Sequence, residues 1–232
     1  MATPDPATRP PDADPDLSGS SPGSRRRRGH GHELRQVVLD VTAGLLAELG
    51  DVEALTMRAV STAAGVTAPS VYRHFPDKQT LLRAVIADRF AAFTTTLLDA
   101  ARRCADAGGG SWAQLEAIAH AYVTTGLDEQ GTYRVLFSAT NAGPVGLGLD
   151  PEAEHPGAAS FQALLDAVAA CLPPAPQHAG PDRHDVLVLG IELWASLHGL
   201  VDLRITKPEM PWPDPGLLVA RALDPIRAAG EG

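Results

Sequence analysis

The chain has 232 residues, of which 44% are hydrophobic and only 5% aromatic, and its net charge is −9. So few aromatic residues argue against a β-sandwich, and no apolar run approaches the ~18 residues that a membrane span needs. Cys104 and Cys171 stand too far apart to suggest a disulfide framework, so we expect two small buried residues. The N-terminus lacks the apolar core of a signal peptide, which predicts a cytoplasmic protein.

Charge is distributed unevenly along the chain. Residues 25–90 carry ten Lys and Arg against seven Asp and Glu, whereas residues 91–232 carry eight against seventeen. A basic N-terminal part joined to an acidic remainder fits a protein that meets DNA with one end only.

The first residues are mostly Pro, Asp, Ser, Ala and Gly, with Leu17 as the one large apolar side chain up to residue 24. Such a segment buries too little apolar area to offset its ordering entropy, which predicts a disordered tail over residues 1–28. The run Arg25–Arg28 ends this tail. It is either an arm that touches phosphates or the minor groove, or a solvated charge run.

Four helices are predicted next. The first carries an apolar stripe at helical spacing and ends at Gly50. Thr56 is a candidate N-cap of a short second helix, which Gly65 ends. A third helix begins near Thr67 and runs to about Phe75. Asp77 then caps a long fourth helix that stops before the glycine run at 108–110. The stripe of the first helix consists of Leu34, Val37, Val38, Val41, Leu45, Leu46 and Leu49.

Five further helices are predicted with less regular patterns. They begin near Ser111, around Tyr133, near Phe161, after Asp182 and after Asp214, and residues 140–157 are a Gly- and Pro-rich loop. No strand alternation or internal repeat is present. The sequence therefore predicts an all-α fold of about nine helices, with a three-helix head at 29–76 and a helical-bundle body at 77–232.

The segment Leu55–Lys78 has the pattern of a helix-turn-helix: a short helix, a glycine-containing turn and a second short helix. In this motif the first helix supports the second, whose N-terminal residues enter the major groove. The residues at that position are small, which lets the backbone approach the base edges. Tyr72 and His74 lie on the same side and could donate to phosphates, and Lys78 is placed as a phosphate clamp. The small residues are Thr67, Ala68, Pro69 and Ser70.

This segment resembles the TetR family of transcription regulators over about 50 residues, from Leu34 to Ile86. The resemblance rests on Gly65-Val66, Val71-Tyr72-Arg73-His74-Phe75, Lys78 and Leu81-Leu82. It implies that Thr56, Tyr72, His74 and Lys78 contact phosphates and that Ala68, Pro69 and Ser70 enter the groove. The Ala68 side chain cannot hydrogen-bond a base, so it either contacts a thymine methyl group or contributes less to base recognition at that position. Arg58 matches a position that reads a base in some members and is otherwise a surface arginine. Thr67 and Arg73 complete the candidate DNA-binding set.

The string Leu193–Leu200 resembles the Trp-x-x-x-His-Gly stretch of one class of TetR C-terminal domains. Trp194 and His198 share a helix face. His198 either anchors an effector, or is satisfied at a dimer interface or by a backbone carbonyl. The resemblance implies an effector cavity for a largely apolar small molecule, and a homodimer formed by the last two helices. We would build the cavity from His198 and from aromatic residues that are otherwise ordinary core, namely Trp112, Tyr122, Tyr133, Phe137, Phe161 and Trp194.

These patterns predict a sequence-specific DNA-binding regulator, most simply a repressor that an effector releases from a near-palindromic operator. A helical enzyme using His120, His184 and His198 is the rival from another class. No metal-ligand spacing, phosphate loop or nucleophile elbow supports it, so we expect no enzyme, metal or cofactor. A second alternative keeps the head but works without an effector, as a constitutive regulator or a protein-binding scaffold. An enclosed cavity in the body would distinguish the effector-released repressor from a regulator that works without an effector.

Overall fold

The computed structural model describes residues 23–137, 155–175 and 180–231, with side chains from residue 32 onward. Within these ranges the chain forms nine helices and no strand, which confirms the all-α fold class. Residues 1–22 of the tail predicted at 1–28, and most of the loop predicted at 140–157, lie outside the described residues, whereas residues 23–28, predicted as tail, are helical. The helices are α1 (Gly23–Leu49), α2 (Met57–Ala63), α3 (Ala68–Tyr72), α4 (Lys78–Asp106), α5 (Ser111–Asp128), α6 (Gln130–Phe137), α7 (Ala158–Ala169), α8 (Arg183–Thr206) and α9 (Pro215–Gly230).

Contacts divide the chain into a unit up to Leu34 and a compact unit from Arg35 to Gly232, so α1 crosses the division. In the first unit α1 already begins at Gly23, and the run Arg25–Arg28 lies within its first turns. The apolar stripe predicts a helix only from Leu34. Arginine is a good helix former, and the periodicity of apolar residues cannot detect a helix segment that has none.

The buried face of α1 differs from the predicted stripe. Val37 and Leu49 are each 44% exposed, whereas Thr42 is fully buried. The Thr42 hydroxyl donates to the backbone oxygen of Val38, 2.6 Å away, which removes the cost of burying it. Because one satisfied threonine belongs to the core, the buried face is rotated relative to the face that hydrophobicity alone predicts. Its members are Val38, Leu39, Thr42, Ala43 and Leu46.

Helices α2 and α3 form the predicted helix-turn-helix. The Thr56 side chain accepts from the Ala59 backbone N–H at 3.1 Å, which confirms this N-cap. Gly65 has a φ of 65° in the turn, a conformation in which a side chain would be strained. Helix α3 ends at Tyr72, three residues earlier than predicted. Phe75 precedes Pro76, and a residue before proline is disfavoured in a helix.

Helix α4 is the longest described helix, with 29 residues and a length of about 44 Å. Asp77 caps it as predicted, accepting from the Thr80 backbone N–H at 2.6 Å. This bond is the main reason why the pKa of Asp77 lies below its ordinary value. Buried side chains continue along the whole helix, from Leu81 to Ala100.

The body packs around the second half of α4. A single apolar cluster begins at Ile86 and takes in buried residues of α4 to α9. The helix starts predicted after Asp182 and after Asp214 are confirmed, and each aspartate side chain caps its helix by accepting a backbone N–H. These caps set where α8 and α9 begin.

Helix α6 lies directly against α1. A Cβ atom added at Gly131 would be 2.6 Å from the Ala47 Cβ, which is closer than two carbon atoms can approach. Side chains on the same helix, Tyr133 and Leu136, belong to the body cluster. Gly131 is therefore the point at which α6 bridges the head and the body.

We predict that Gly131→Ala destabilises the fold by about 1–3 kcal/mol, because the new methyl group forces α6 away from α1. Gly44→Ala is the matched control on α1. A Cβ there meets nothing within 4 Å, so this change should stabilise the helix by roughly 0.5–1 kcal/mol. Urea unfolding followed by circular dichroism measures both. Equal stability of the two variants would contradict the close approach.

Candidate functional site

The helix-turn-helix presents its predicted DNA-binding residues to solvent. Val60, Val71 and Phe75 are buried beneath the motif and hold α3 in place. Tyr72 is 48% exposed, although large aromatic side chains are usually buried. The remaining members of the predicted set are exposed at Thr56, Arg58, Thr67, Pro69 and Arg73 and half-buried at Ala68, Ser70, His74 and Lys78.

The hydroxyl groups at the start of α3 are arranged differently from the prediction. Thr67 occupies the N-cap position, but its side chain makes no capping bond to the backbone. Its Oγ1 instead lies 3.0 Å from the Oγ of Ser70. The two hydroxyls form an exposed pair at the end of the helix that would face the groove.

His74 and Lys78 are partly engaged within the protein. The Nε2 atom of His74 is buried and makes no hydrogen bond in the described structure, so Nδ1 is the atom left for a phosphate. The Lys78 ammonium donates to the Glu53 backbone oxygen at 3.2 Å and lies 3.7 Å from the Glu53 carboxylate. A phosphate at Lys78 would therefore compete with Glu53.

The body contains a partly open cavity of about 490 Å³ between α4, α5, α6, α7 and α8. Its wall is mainly apolar, and the aromatic rings meet largely edge to face. Phe90 and Phe137 are inclined at 83°, and Phe93 and Tyr122 at 80°. A cavity of this size and composition fits a small organic molecule. In the described parts of the chain, no three His, Cys, Asp or Glu side chains come together as metal ligands.

The structure brings five of the seven predicted cavity residues together, namely Tyr122, Phe137, Phe161, Trp194 and His198. Tyr133 does not line the cavity but lies directly behind it, with its hydroxyl 2.6 Å from Nδ1 of His198. Trp112 does not line it either. Its ring packs at the edge of the core, with the Arg227 guanidinium 4.6 Å above it.

Nine of the fourteen residues that line the cavity were not predicted from the sequence. The apolar stripe of α4 includes Phe90 and Phe93, and their spacing of three on one helix face was the available signal. The start of α7 gave no signal, because it contributes small residues there. The missed lining residues are Phe90, Phe93, Leu97, Leu136, His155, Gly157, Ala158, Ser160 and Leu164.

Within one chain, Nδ1 of His198 pairs with a side chain and not with the backbone carbonyl that the sequence suggested. Its partner is the Tyr133 hydroxyl, which also lies 3.3 Å from the Tyr122 hydroxyl. Burial raises the pKa of Tyr122 to about 12, against the hydrogen bonds of Tyr133 and Trp194, which lower it. Burial also raises the pKa of Tyr133. Both phenols are therefore neutral at physiological pH.

Burial lowers the pKa of His198 below its usual 6.5, and the nearby charge of Asp202 opposes this shift. The folded protein therefore favours the neutral imidazole. This contribution to the free energy of unfolding is fully present above about pH 6.5 and is lost as the pH falls towards the lowered pKa.

We predict that NMR titration gives His198 a pKa below 6.5, and that Asp202→Asn lowers it further by removing the opposing charge. Asp224→Asn, on the exposed face of α9, is the control and should leave this pKa unchanged. In urea unfolding, His198→Phe should reduce the loss of stability between pH 7 and pH 5. A wild-type pKa at or above 6.5 would contradict the burial of this ring.

Comparison with known families matches two parts of the chain. Residues 38–85 match the family described as bacterial regulatory proteins, tetR family. Residues 115–225 match the tetracyclin repressor-like C-terminal domain. The first match covers the helix-turn-helix, and the second covers most of the cavity wall. A search of curated proteins gives no match.

Solved structures with the same fold cover nearly the whole chain. A protein of unknown function from Rhodococcus sp. RHA1 is 24% identical, with a TM-score of 0.63 over 85% of this chain and 95% of that one. A TetR family transcription regulator from Marinobacter aquaeolei VT8 is 21% identical, with a TM-score of 0.62 over 86% and 97%. The TetR family regulator PfmR from Thermus thermophilus is 18% identical, with a TM-score of 0.52 over 82% and 96%. With the helix-turn-helix and the C-terminal domain both matched, the chain belongs to the TetR family of DNA-binding transcription regulators.

Proposed function

We propose that this protein is a homodimeric repressor, which binds a near-palindromic operator and leaves it when a small-molecule effector enters the body. The observation that carries this proposal is the cavity of about 490 Å³. It is lined in part by α4, the helix that directly follows the helix-turn-helix. A regulator without an effector has no need to keep such a space, because empty volume in a core costs stability. A cytoplasmic location accords with this role.

Release from DNA requires that the effector binds one arrangement of the two heads more tightly than the other. Phe90 and Phe93 line the cavity from α4, and Asp88 and Arg89, directly before Phe90, contact α1. The Arg89 guanidinium forms an ion pair with Asp40, and Gln36 donates to Asp88 at 3.4 Å. A shift of α4 caused by a ligand would thus be transmitted to α1, and the spacing of the two heads would change.

DNA binding through the head gives the first test. We predict that Tyr72→Ala and Lys78→Ala weaken binding in a gel-shift titration, because each removes a phosphate contact. Loss of Lys78 should also reduce the dependence of log K on log salt by about one per head. Glu53→Gln should act in the opposite direction, since it frees the Lys78 ammonium from its carboxylate partner.

Arg102→Ala is the matched control for charge. It removes a positive charge near the far end of α4, about 36 Å along the helix from Lys78, and should leave affinity unchanged. The upstream region of the protein's own gene and a pool of random duplexes are the DNA to use. Failure on every duplex would overturn DNA regulation and favour the scaffold alternative.

The exposed face of α8 supports the dimer. Leu187, Val188 and Ile191 are each at least 40% exposed and adjacent on one helix face. A contiguous apolar patch on a single chain marks an interface. An open depression of about 1090 Å³ between α7 and the start of α8, lined in part by Leu165 and Leu187, lies beside this face. The second chain would cover both.

By length and composition α8 could also cross a membrane, and 28% of its most apolar window is buried within the chain. Helices at the interfaces of soluble proteins can also be this long and this apolar. Pairing with the α8 and α9 helices of a second chain accounts for this apolar surface without a bilayer, and it provides the two-fold symmetry that a near-palindromic site requires.

We predict that Ile191→Glu shifts the protein from dimer to monomer in analytical ultracentrifugation, because two carboxylates would be buried at the symmetric interface. Leu98→Glu is the control, since Leu98 is equally exposed but lies on α4. Ile191→Glu should also weaken operator binding more than tenfold, because one head alone reads half a site. A dimer that persists in Ile191→Glu but not in Leu98→Glu would place the interface elsewhere.

A further inference from the structure

Aromatic residues are concentrated at the cavity to a degree that core packing does not require. The chain has only eleven Phe, Tyr and Trp residues. Six of them, including four of the five Phe, line this one space, and Tyr133 supports it from behind. Elsewhere the described core is built from Leu, Val, Ile and Ala, with Phe75 beneath the helix-turn-helix as the aromatic exception. Walls of rings that meet edge to face can stack on a flat aromatic molecule.

Hydrogen bonding shows what His198 offers to a ligand. The Trp194 indole can only donate, and it acts on the Tyr122 hydroxyl. Every hydroxyl hydrogen is used if Tyr122 donates to Tyr133 and Tyr133 donates to Nδ1 of His198. In neutral imidazole the proton then resides on Nε2. In this arrangement His198 contributes an N–H donor to the cavity wall.

Ser160 offers a hydrogen-bond acceptor to the ligand. The Thr94 hydroxyl donates to the Phe90 backbone oxygen at 2.8 Å, so its oxygen accepts from the Ser160 hydroxyl at 2.6 Å. The hydrogen of Ser160 is thereby used, and its remaining lone pair can only accept. Ser160 is 8% exposed and lines the cavity.

The described part of the cavity wall carries no charged side chain that would pair with an ionic ligand. None of the described lining residues is Lys, Arg, Asp or Glu, and the two histidines are the only ionisable groups besides Tyr122. A carboxylate would lose its hydration without gaining a cation. A quaternary ammonium group would find aromatic faces, but it would leave the His198 N–H without an acceptor.

We infer that the cavity takes an uncharged, planar aromatic molecule with an oxygen acceptor for His198 and a hydroxyl or N–H donor for Ser160. This names the effector class and rests on the proposed function. The cavity discriminates against carboxylates and quaternary ammonium compounds of the same ring size.

Isothermal titration calorimetry on the full chain tests this with probes that share one naphthalene ring. The probe 6-acetyl-2-naphthol carries both groups, and 2-acetylnaphthalene lacks the donor. The charged probes are 6-hydroxy-2-naphthoic acid and trimethyl(2-naphthyl)ammonium. We expect 6-acetyl-2-naphthol to bind about tenfold more tightly than 2-acetylnaphthalene, and more than tenfold more tightly than either ion.

Two substitutions assign the contacts. Ser160→Ala should weaken 6-acetyl-2-naphthol about tenfold and leave 2-acetylnaphthalene unchanged, because only the first probe donates to Ser160. His198→Phe keeps a ring but removes the donor, so it should weaken both probes. Gln162→Ala, exposed on the same helix as Ser160, is the control with no expected effect. Circular dichroism confirms folding, and the wild-type ranking decides the question if a variant unfolds.

Tighter binding of either ion, or no binding of any naphthalene probe, would overturn the inference. The gel-shift titration distinguishes a failure of this inference from a failure of the proposed function. DNA binding without probe binding leaves the regulator standing and removes the aromatic effector class. Probe binding with the predicted ranking, but without release of DNA, supports the cavity assignment and overturns release.

Discussion

One helix positions both functional parts of the molecule. The buried side of α4 continues without interruption from Leu81 to Ala100, so a single rigid element belongs to two cores. Leu81, Leu82 and Val85 are buried in the part of α4 next to the helix-turn-helix. From Ile86 onward the same face belongs to the cluster that surrounds the cavity. A helix packed along its whole length cannot bend freely, so a displacement at Phe93 must move the first turns as well.

Two contacts between α1 and the body make this coupling specific. Arg89 joins Asp40 of α1 to Asp88 of α4, which is a directional, charge-assisted arrangement. Gly131 on α6 approaches Ala47 so closely that no side chain fits between the helices. Helix α6 also carries Tyr133 and Phe137, whose rings are tilted by 40° with centroids 4.5 Å apart, beside His198. Helices α4 and α6 thus both line the cavity and both contact α1 of the head.

The chemistry of the two sites differs in a way that suits their partners. The head offers exposed hydroxyls, a phenol and cations to a polyanion, and its affinity should fall with salt. The cavity offers neutral groups that are joined by hydrogen bonds. There burial keeps Tyr122, Tyr133 and His198 uncharged, which favours recognition by shape and hydrogen-bond direction. An acidic protein can therefore bind DNA at one end and a neutral ligand at the other.

The sequence by itself determined the order of the helices, several of their caps and the position of the helix-turn-helix. These depend on neighbours within a few positions: Thr56 and Asp77 bond to backbone groups three residues on, and Gly65 supplies its own turn. Only the tertiary structure decided which aromatic side chains surround a space and which fill a core. Trp112 and Phe161 look alike in sequence, but Arg227 covers the first, whereas the second faces the cavity. Ser160 and Thr94 stand 66 residues apart, and no local pattern could pair them, because their meeting depends on how α4 and α7 pack.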